Sequence, residues 1–487
     1  MMRLTSVISR LALPALAALS CALPGASAQE APPQAAGAHL PDYVPPSGPV
    51  PGFQTPNNWT VMLDNGLAIT FIPWGMTPTV DIRIEVRAGN IDEGRRTWLS
   101  DLTVEAMSQG AAGRSDQEIA EAFGAMGGSL IANVQTDTAS FITFSLSEDG
   151  PAALALLAET VRYPDFPPDR FEAARNTISQ LAESWRQQPA MQAMAAVNLY
   201  QHPEGHPFHT TIPTQRQLDG YDLGDVREFH REHFGAGRTH IYITGQFDAE
   251  AMESAAREAF GDWARGPADE GIDAAPQVGH VVHLIDRPGA PQSTLYLTYP
   301  VPPISDKSAP ALEVMDVALG GMIVGRMLDT GYSYAPQTFV NWARGGASWN
   351  YTDDIDTDET VMALQDVLTI IDYSGFAPLQ IGGVADWMIS RFIMSTGARF
   401  SLVSQIAFRN ANDLPIDYLD TYASAIRSVD NRAVQTLVSE YLTRDRLTLV
   451  IVGDLERIEP GIRALPQLQN ARFVRQGVDG RMVEITR

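Results

Sequence analysis

The sequence predicts an α+β fold: two tandem, similar units, each an antiparallel or mixed sheet with helices packed on one face. Three observations carry this. The stretches "DVREFHREHFGAGRTHIYITGQFD" (225–248) and "AVQTLVSEYLTRDRLTLVIVGDLE" (433–456) both read as a helix, a short turn, a β-rich run and a glycine, and Gly245 and Gly453 stand 208 residues apart. The openings of the halves correspond too, with Pro78 and Pro291 213 residues apart. A repeat this long signals duplicated domains rather than a solenoid, whose units are several-fold shorter.

Taken in order, the chain begins with Arg3 and Arg10, an apolar run and "ASA" ending at Ala28. That pattern predicts a secretory signal peptide over 1–28. Cys21, the single cysteine, falls inside it, so a mature chain starting near Gln29 has no thiol to cross-link. Attachment of a lipid at Cys21 is the alternative, although "AALS" before it fits a lipid-attachment box poorly. The signal and the arginine-dominated basic content, with Lys307 the lone lysine, point to a bacterial envelope protein in the periplasm. Residues 29–56 are Pro-rich and predict a surface arm, because proline supports neither a helix interior nor a central strand.

The first unit is placed at 57–265. "WTVMLDNGLAITFIP" gives two strands around the "DNG" turn, and "TVDIRIEV" alternates Val80, Ile82, Ile84 and Val86 with Asp81, Arg83 and Glu85, the period of a half-buried strand. "RGPADEGIDAAPQVG" supplies a linker, assigned to 266–279, and the second unit is 280–487, opening with two strands in "HVVHLIDRPGAPQSTLYLTYPVP". Net charge is −24, or −26 without residues 1–28, which hold two arginines and no acid. That balance speaks against nucleic acid and against an anionic membrane surface. Outside the signal, no apolar run reaches the length of a membrane span.

The chemistry-bearing candidate lies in "RRTWLSDLTVEAMSQGA" (95–111), an amphipathic helix with Leu99, Leu102 and Ala106 on one side and Asp101, Glu105 and Ser108 on the other. Two carboxylates one turn apart could hold a hard cation weakly; a solvated face, with acids favoured near the helix start, is the plainer reading. His202, His206 and His209 cluster in "QHPEGHPFH", a Pro/Gly loop poorly suited to fixed ligand geometry. His230 and His233, and likewise His280 and His283, lack a neighbouring acid in a zinc pattern, and the chain has no phosphate-binding loop and no nucleophile elbow.

An ordered set of segments resembles the pitrilysin/insulinase family, the zinc metallopeptidases with an inverted motif: "NGLAITFIP", "VDIRIEVRAGNIDE", "GAMGGSLIANVQTDTASFITFSL", "FPPDRFEAARNTISQLAESW", "VREFHREHFGAGRTHIYITGQFD", "TGYSYAPQT" and "DTDETVMAL". The resemblance covers nearly all of 57–487 and implies half of a clamshell, closed by a second chain. Active members carry H-x-x-E-H on a helix, the two histidines binding zinc and the glutamate serving as base, with a distal glutamate as third ligand. Carried onto this chain, the first histidine position is Asp101, the base Val104, the second histidine Glu105 and the distal glutamate Leu181. Glu183 reaches the distal position only by a two-residue slip, and it sits about 200° around the helix from Leu181.

All four positions depart from the active pattern. The resemblance therefore implies a non-catalytic member with no catalytic residue, no metal and no cofactor of its own, zinc being expected only in the partner. The implied partner is an active family subunit carrying H-x-x-E-H, or a second copy of this chain. The implied ligands are peptides, basic or unfolded ones being favoured by the acidic wall. Family substrate contacts fall on Arg326 and Tyr334, with Tyr332 an alternative aromatic, and on the strand around Ala132, where a peptide would add to the sheet edge. A stand-alone peptide-binding scaffold and a divergent metallopeptidase with carboxylate ligands remain open alternatives.

Overall fold

The fold was read from a computed structural model that describes residues 53–485, apart from 270, 273–274, 376–380 and 479. The expected signal peptide, Cys21 and the Pro-rich arm up to residue 52 lie outside the described residues.

Two sheets carry the chain. The first half supplies β1 (Trp59–Met62), β2 (Ala68–Pro73), β3 (Thr79–Val86), a separate ribbon of β4 (Gly110–Ala111) and β5 (Arg114–Ser115), then β6 (Ile131–Val134), β7 (Ala139–Leu146) and β8 (Thr239–Gly245). Its six-stranded sheet has the order β1-β2-β8-β3-β7-β6. The second half supplies β9 (Val281–Asp286), β10 (Gln292–Val301), β11 (Gln337–Ala343), β12 (Gly346–Asp356), β13 (Thr448–Gly453), β14 (Arg472–Gln476) and β15 (Met482–Ile485), in the order β11-β12-β10-β13-β9-β14-β15.

The two sheets repeat one topology. β8 lies parallel to β2 and antiparallel to β3, and β13 lies parallel to β9 and antiparallel to β10. In each half the closing strand, some 150 residues or more downstream, inserts between the two opening strands. Local pattern shows that these strands exist but not that they are separated, because the intruder arrives from far along the chain. Gly245 ends β8 at φ +127°, where a side chain would meet the Thr79 carbonyl of β3. Such a backbone favours glycine.

Helices α1 (Leu99–Met107), α2 (Asp116–Ala125), α3 (Gly150–Arg162), α4 (Pro168–Gln187), α5 (Pro189–Gln201), α6 (Gln215–Gly220), α7 (Leu223–His233) and α8 (Ala249–Phe260) belong to the first half. The second has α9 (Ala309–Thr330), α10 (Thr360–Ser374), α11 (Gly382–Thr396), α12 (Arg399–Ala411), α13 (Tyr418–Arg427), α14 (Asn431–Tyr441) and α15 (Leu455–Ala464). The alternation read in β3 decides the layers. Val80, Ile82, Ile84 and Val86 are fully buried with Leu102, Leu154, Leu157, Ile178 and Phe229 from the first half's own helices.

The opposite face of each sheet takes helices from the other half. Ile72 and Tyr242 of the first sheet pack with Phe392, Leu402, Val403, Ile406 and Leu419 of α11–α13. In return, Ala193, Ala196 and Val197 of α5 pack on Ile285, Tyr296, Val450 and Val452 of the second sheet. Ion pairs complete the first exchange, with Arg399 of α12 3.6 Å from Asp81 and donating to Thr79 Oγ1 at 2.7 Å. Among the described residues no helix is long and apolar enough to cross a membrane.

Candidate functional site

After β3 the chain turns through Asn90–Glu93 and enters α1, the helix expected from "WLSDLTVEAM". The residue before the helix is Trp98, which cannot cap it and sits at φ +63°. The cap comes instead from Glu93, five residues upstream. Its carboxyl group accepts the backbone N–H of Trp98 at 2.8 Å and of Ser100 at 3.0 Å, together with the Ser100 hydroxyl. These are N–H groups at the helix start that have no intrahelical partner. The Trp98 indole is fixed by a bond to the Thr211 carbonyl at 2.9 Å and by an edge-on contact with Trp185, with 5.0 Å between ring centroids.

Asn90 ties this cap to the first acid of α1. Its amide donates to Glu93 at 2.9 Å, to Ser100 Oγ at 3.0 Å and to Asp101 Oδ2 at 2.8 Å. Glu93 is 4 % exposed. Burial, and secondarily the charge of Asp101, push its carboxyl up to about 8, against the bonds from Ser100 and Asn90.

The remaining motif positions are apolar or half-buried. Val104 is 2 % exposed and packs in the first-half core. Leu181 of α4 is half-buried against the same core, beside Trp185. Glu105 is half-buried. Glu183 points elsewhere: it is exposed and accepts from Arg186 at 2.9 Å and Gln187 at 2.7 Å. Among the described residues no group of three or more His, Cys, Asp or Glu side chains is placed to hold a metal ion. The three-donor zinc set of the active pattern is not reproduced, because its distal position, Leu181 of α4, is hydrocarbon and both histidine positions carry carboxylates. A valine also cannot take a proton from water, so the general base of the active pattern has no counterpart at Val104.

Five of the histidines are held by neighbouring groups. His202 stacks on His206 at 4.6 Å, His206 accepts from the Phe208 N–H at 3.1 Å, and His209 bonds the His202 carbonyl at 2.8 Å. Burial, with the neighbouring His206 and His209, lowers His202 to about 4. His230 bonds the Val161 carbonyl at 2.9 Å, and His283 bonds the Tyr200 hydroxyl at 3.0 Å.

The expected peptide contacts occupy separate places. Arg326, near the end of α9, is ion-paired with Asp366 of α10 at 2.8 Å. Tyr334, in the connection to β11, is 84 % exposed, while Tyr332 is half-buried and interacts electrostatically with Arg326. β6, which holds Ala132, is an edge strand. The Gln135 N–H bonds Thr138 O at 2.7 Å. Alternation then gives Asn133 and Ile131 to the ladder with β7 and turns the main-chain groups of Ala132 and Val134 to the open edge. The Ala132 methyl packs on the core, so only its backbone is offered. Glu93 and Asn90 are the residues that sequence reasoning missed. Their signal is an acid upstream of a helix whose own cap position is a tryptophan.

This fold, with its degenerate helix, is that of a duplicated peptidase scaffold. The family model described as insulinase (peptidase family M16) matches residues 75–209, and that described as peptidase M16 inactive domain matches 220–373. The chain belongs to the M16 (insulinase) family. The second description concerns residues after α1 and α4 and says nothing of Asp101, Val104, Glu105 or Leu181. Three similar solved structures share the fold. A peptidase M16 inactive domain from Pseudomonas fluorescens is 21 % identical with TM-score 0.75, covering 82 % of this chain and 98 % of that one. A protease from Helicobacter pylori is 14 % identical with TM-score 0.71, covering 82 % and 100 %. A protein from Alicyclobacillus acidocaldarius described as an M16-like peptidase is 14 % identical with TM-score 0.69, covering 82 % and 99 %. No curated protein matches the chain.

Proposed function

We propose that this chain is a non-catalytic subunit of a periplasmic M16 peptidase. It pairs with a zinc-bearing chain of the H-x-x-E-H type and helps to enclose and hold peptides. The observation that carries this reading is Val104, buried in the core at the position of the general base. A positioned base typically contributes roughly 10²–10⁴-fold, and a valine side chain has no atom that can accept a proton. Leu181 and the Asn90–Asp101 bond support the reading. The open main-chain edge at Ala132 and the exposed Tyr334 are this chain's contributions to peptide contact, with Arg326 available once it exchanges Asp366 for a ligand.

The test is to purify the mature chain and measure zinc content and peptidase activity, alone and after mixing with an M16 chain that retains H-x-x-E-H. No activity alone, with stable co-elution and increased turnover on mixing, is expected. Stoichiometric zinc together with activity in the isolated chain would overturn the proposal. Failure to co-elute with any such chain would leave a stand-alone scaffold in its place.

A further inference from the structure

The connection between α9 and β11, "GYSYAP" (331–336), carries the exposed Tyr334. Surface connections are ordinarily the mobile parts of a fold. This one is held at three points. Gly331 ends α9 at φ +76°, and the Tyr332 N–H bonds the Met327 carbonyl at 3.0 Å. Pro336 is buried where β11 begins, and its ring fixes its own φ. Between them Ser333 is 6 % exposed. Its hydroxyl donates to the Asp353 carboxyl and accepts the Ala335 N–H at 3.2 Å. One hydroxyl therefore ties down the residues on both sides of Tyr334.

Asp353 is out of place in its strand. Near the end of β12, Tyr351 and Ile355 are fully buried, Thr352 is half-buried and Asp354 is exposed. That alternation calls for an apolar residue at 353, and Leu295, its register partner on β10, is fully buried. The acid that stands there is 4 % exposed. Burial pushes its carboxyl above the usual range, against the bonds from Ser333 and from the Tyr351 hydroxyl, which donates at 2.9 Å. Taking an acid out of water costs more than burying hydrocarbon, so packing of the sheet does not account for it. Its place in the register does. Gln337 and Thr352 form the first rung between β11 and β12, and Asp353 is the next residue beyond that ladder, where the connection enters β11.

We propose that Asp353 is a positioning residue: acting through the Ser333 hydroxyl, it fixes the 331–336 connection so that Tyr334 is held out in one orientation before a peptide arrives. The inference rests on the peptide-holding part of the function proposed above and adds the device that orients its exposed aromatic. Holding the main chain in advance lowers the ordering cost of binding.

The experiment uses the full mature chain and a fluorescein-labelled ten-residue peptide of alternating lysine and serine, the class that a net charge of −24 favours. Binding is read by anisotropy, and circular dichroism melts confirm that each variant folds. Tyr334→Ala is expected to weaken binding roughly tenfold, as for an aromatic anchor. Ser333→Ala and Asp353→Ala should each weaken it roughly threefold to tenfold, and neither should weaken it further when Tyr334 is already alanine. A residue that only supports the fold lowers binding equally with and without Tyr334, so the coupling separates the two roles. Ser333→Ala removes a single hydroxyl and carries the test should Asp353→Ala fail to fold. Additive losses, or full binding by Ser333→Ala where Tyr334→Ala binds poorly, would overturn the inference and leave the peptide-holding reading standing. Binding unaffected by Tyr334→Ala would overturn it too, leaving the peptide held elsewhere on the chain. No binding by the unaltered chain would overturn the peptide-holding reading and the inference with it, and the co-elution test would still decide the pairing.

Discussion

The two halves of this chain share a sheet topology and differ in the helix that comes after the antiparallel second strand. After β3 comes α1, nine residues long, capped from a distance by a buried carboxyl group and carrying the degenerate motif. After β10 comes α9, 22 residues long, with Asp316 accepting from the Trp349 indole at 2.8 Å and no zinc-motif pattern. Duplication preserved what holds the sheets together and left the chemical position in one copy. The comparison teaches that a scaffold can be kept under strong packing constraint while the residues hung on it are free to change.

The largest expected effect breaks the symmetry between the two central strands. Gly245→Ala places a methyl against the Thr79 backbone at a positive φ. It should cost about 3 kcal/mol or more. Gly453→Ala meets only side chains, the Ser293 hydroxyl at 2.5 Å and Cβ at 3.0 Å and an Ile458 methyl at 3.1 Å, at an ordinary φ, and should cost less, about 1–2 kcal/mol. Equal losses in denaturant melts of the two variants would show that the halves are constrained alike.

Next comes the cap that only the first half has. Glu93→Ala strands the N–H groups of Trp98 and Ser100 in the interior. A loss of about 2–4 kcal/mol is expected, read from chemical denaturation. The pH dependence sharpens this. The folded state holds the Glu93 proton up to about pH 8, whereas an ordinary glutamate releases it near 4.5. The fold therefore binds more protons between these values, so this group's contribution to stability falls as pH rises through that window and levels off above it. The slope is at most about 1.4 kcal/mol per pH unit. Glu93→Gln should remove that decline, and an identical profile in the variant would assign the dependence elsewhere.

The smallest effect belongs to the second half. Arg326→Ala removes an exposed ion pair with Asp366, and the thermal midpoint should stay where it is. Any loss of peptide binding in this variant then reports contact with the ligand. A large drop in midpoint would make Arg326 a fold residue.

Much of this was legible from residue patterns. The alternation of Val80–Val86 placed β3 and its buried face, and the matched ends at Gly245 and Gly453 announced the duplication. The separation of β2 from β3 was not legible, because it depends on pairing with a strand far downstream. In the site, the family resemblance pointed to Asp101, Val104, Glu105 and Leu181, and Val104 and Leu181 pack with the first-half core. The Glu93–Asn90 cap was missed because it forms across a non-helical turn, where periodicity carries no information.

The exchange of helices between the halves also bears on how the chain is made. Ile72 and Tyr242 receive their cover from α11–α13, with Leu419 among the last residues to arrive. At ordinary rates of synthesis, the about 170 residues after β8 take roughly ten to thirty seconds to emerge. Over that interval Ile72 and Tyr242, on a sheet face that also carries Asp81, Arg83 and Glu85, lack the side chains that bury them. A chain cut before α11 would therefore carry the first sheet without the cover of Ile72 and Tyr242.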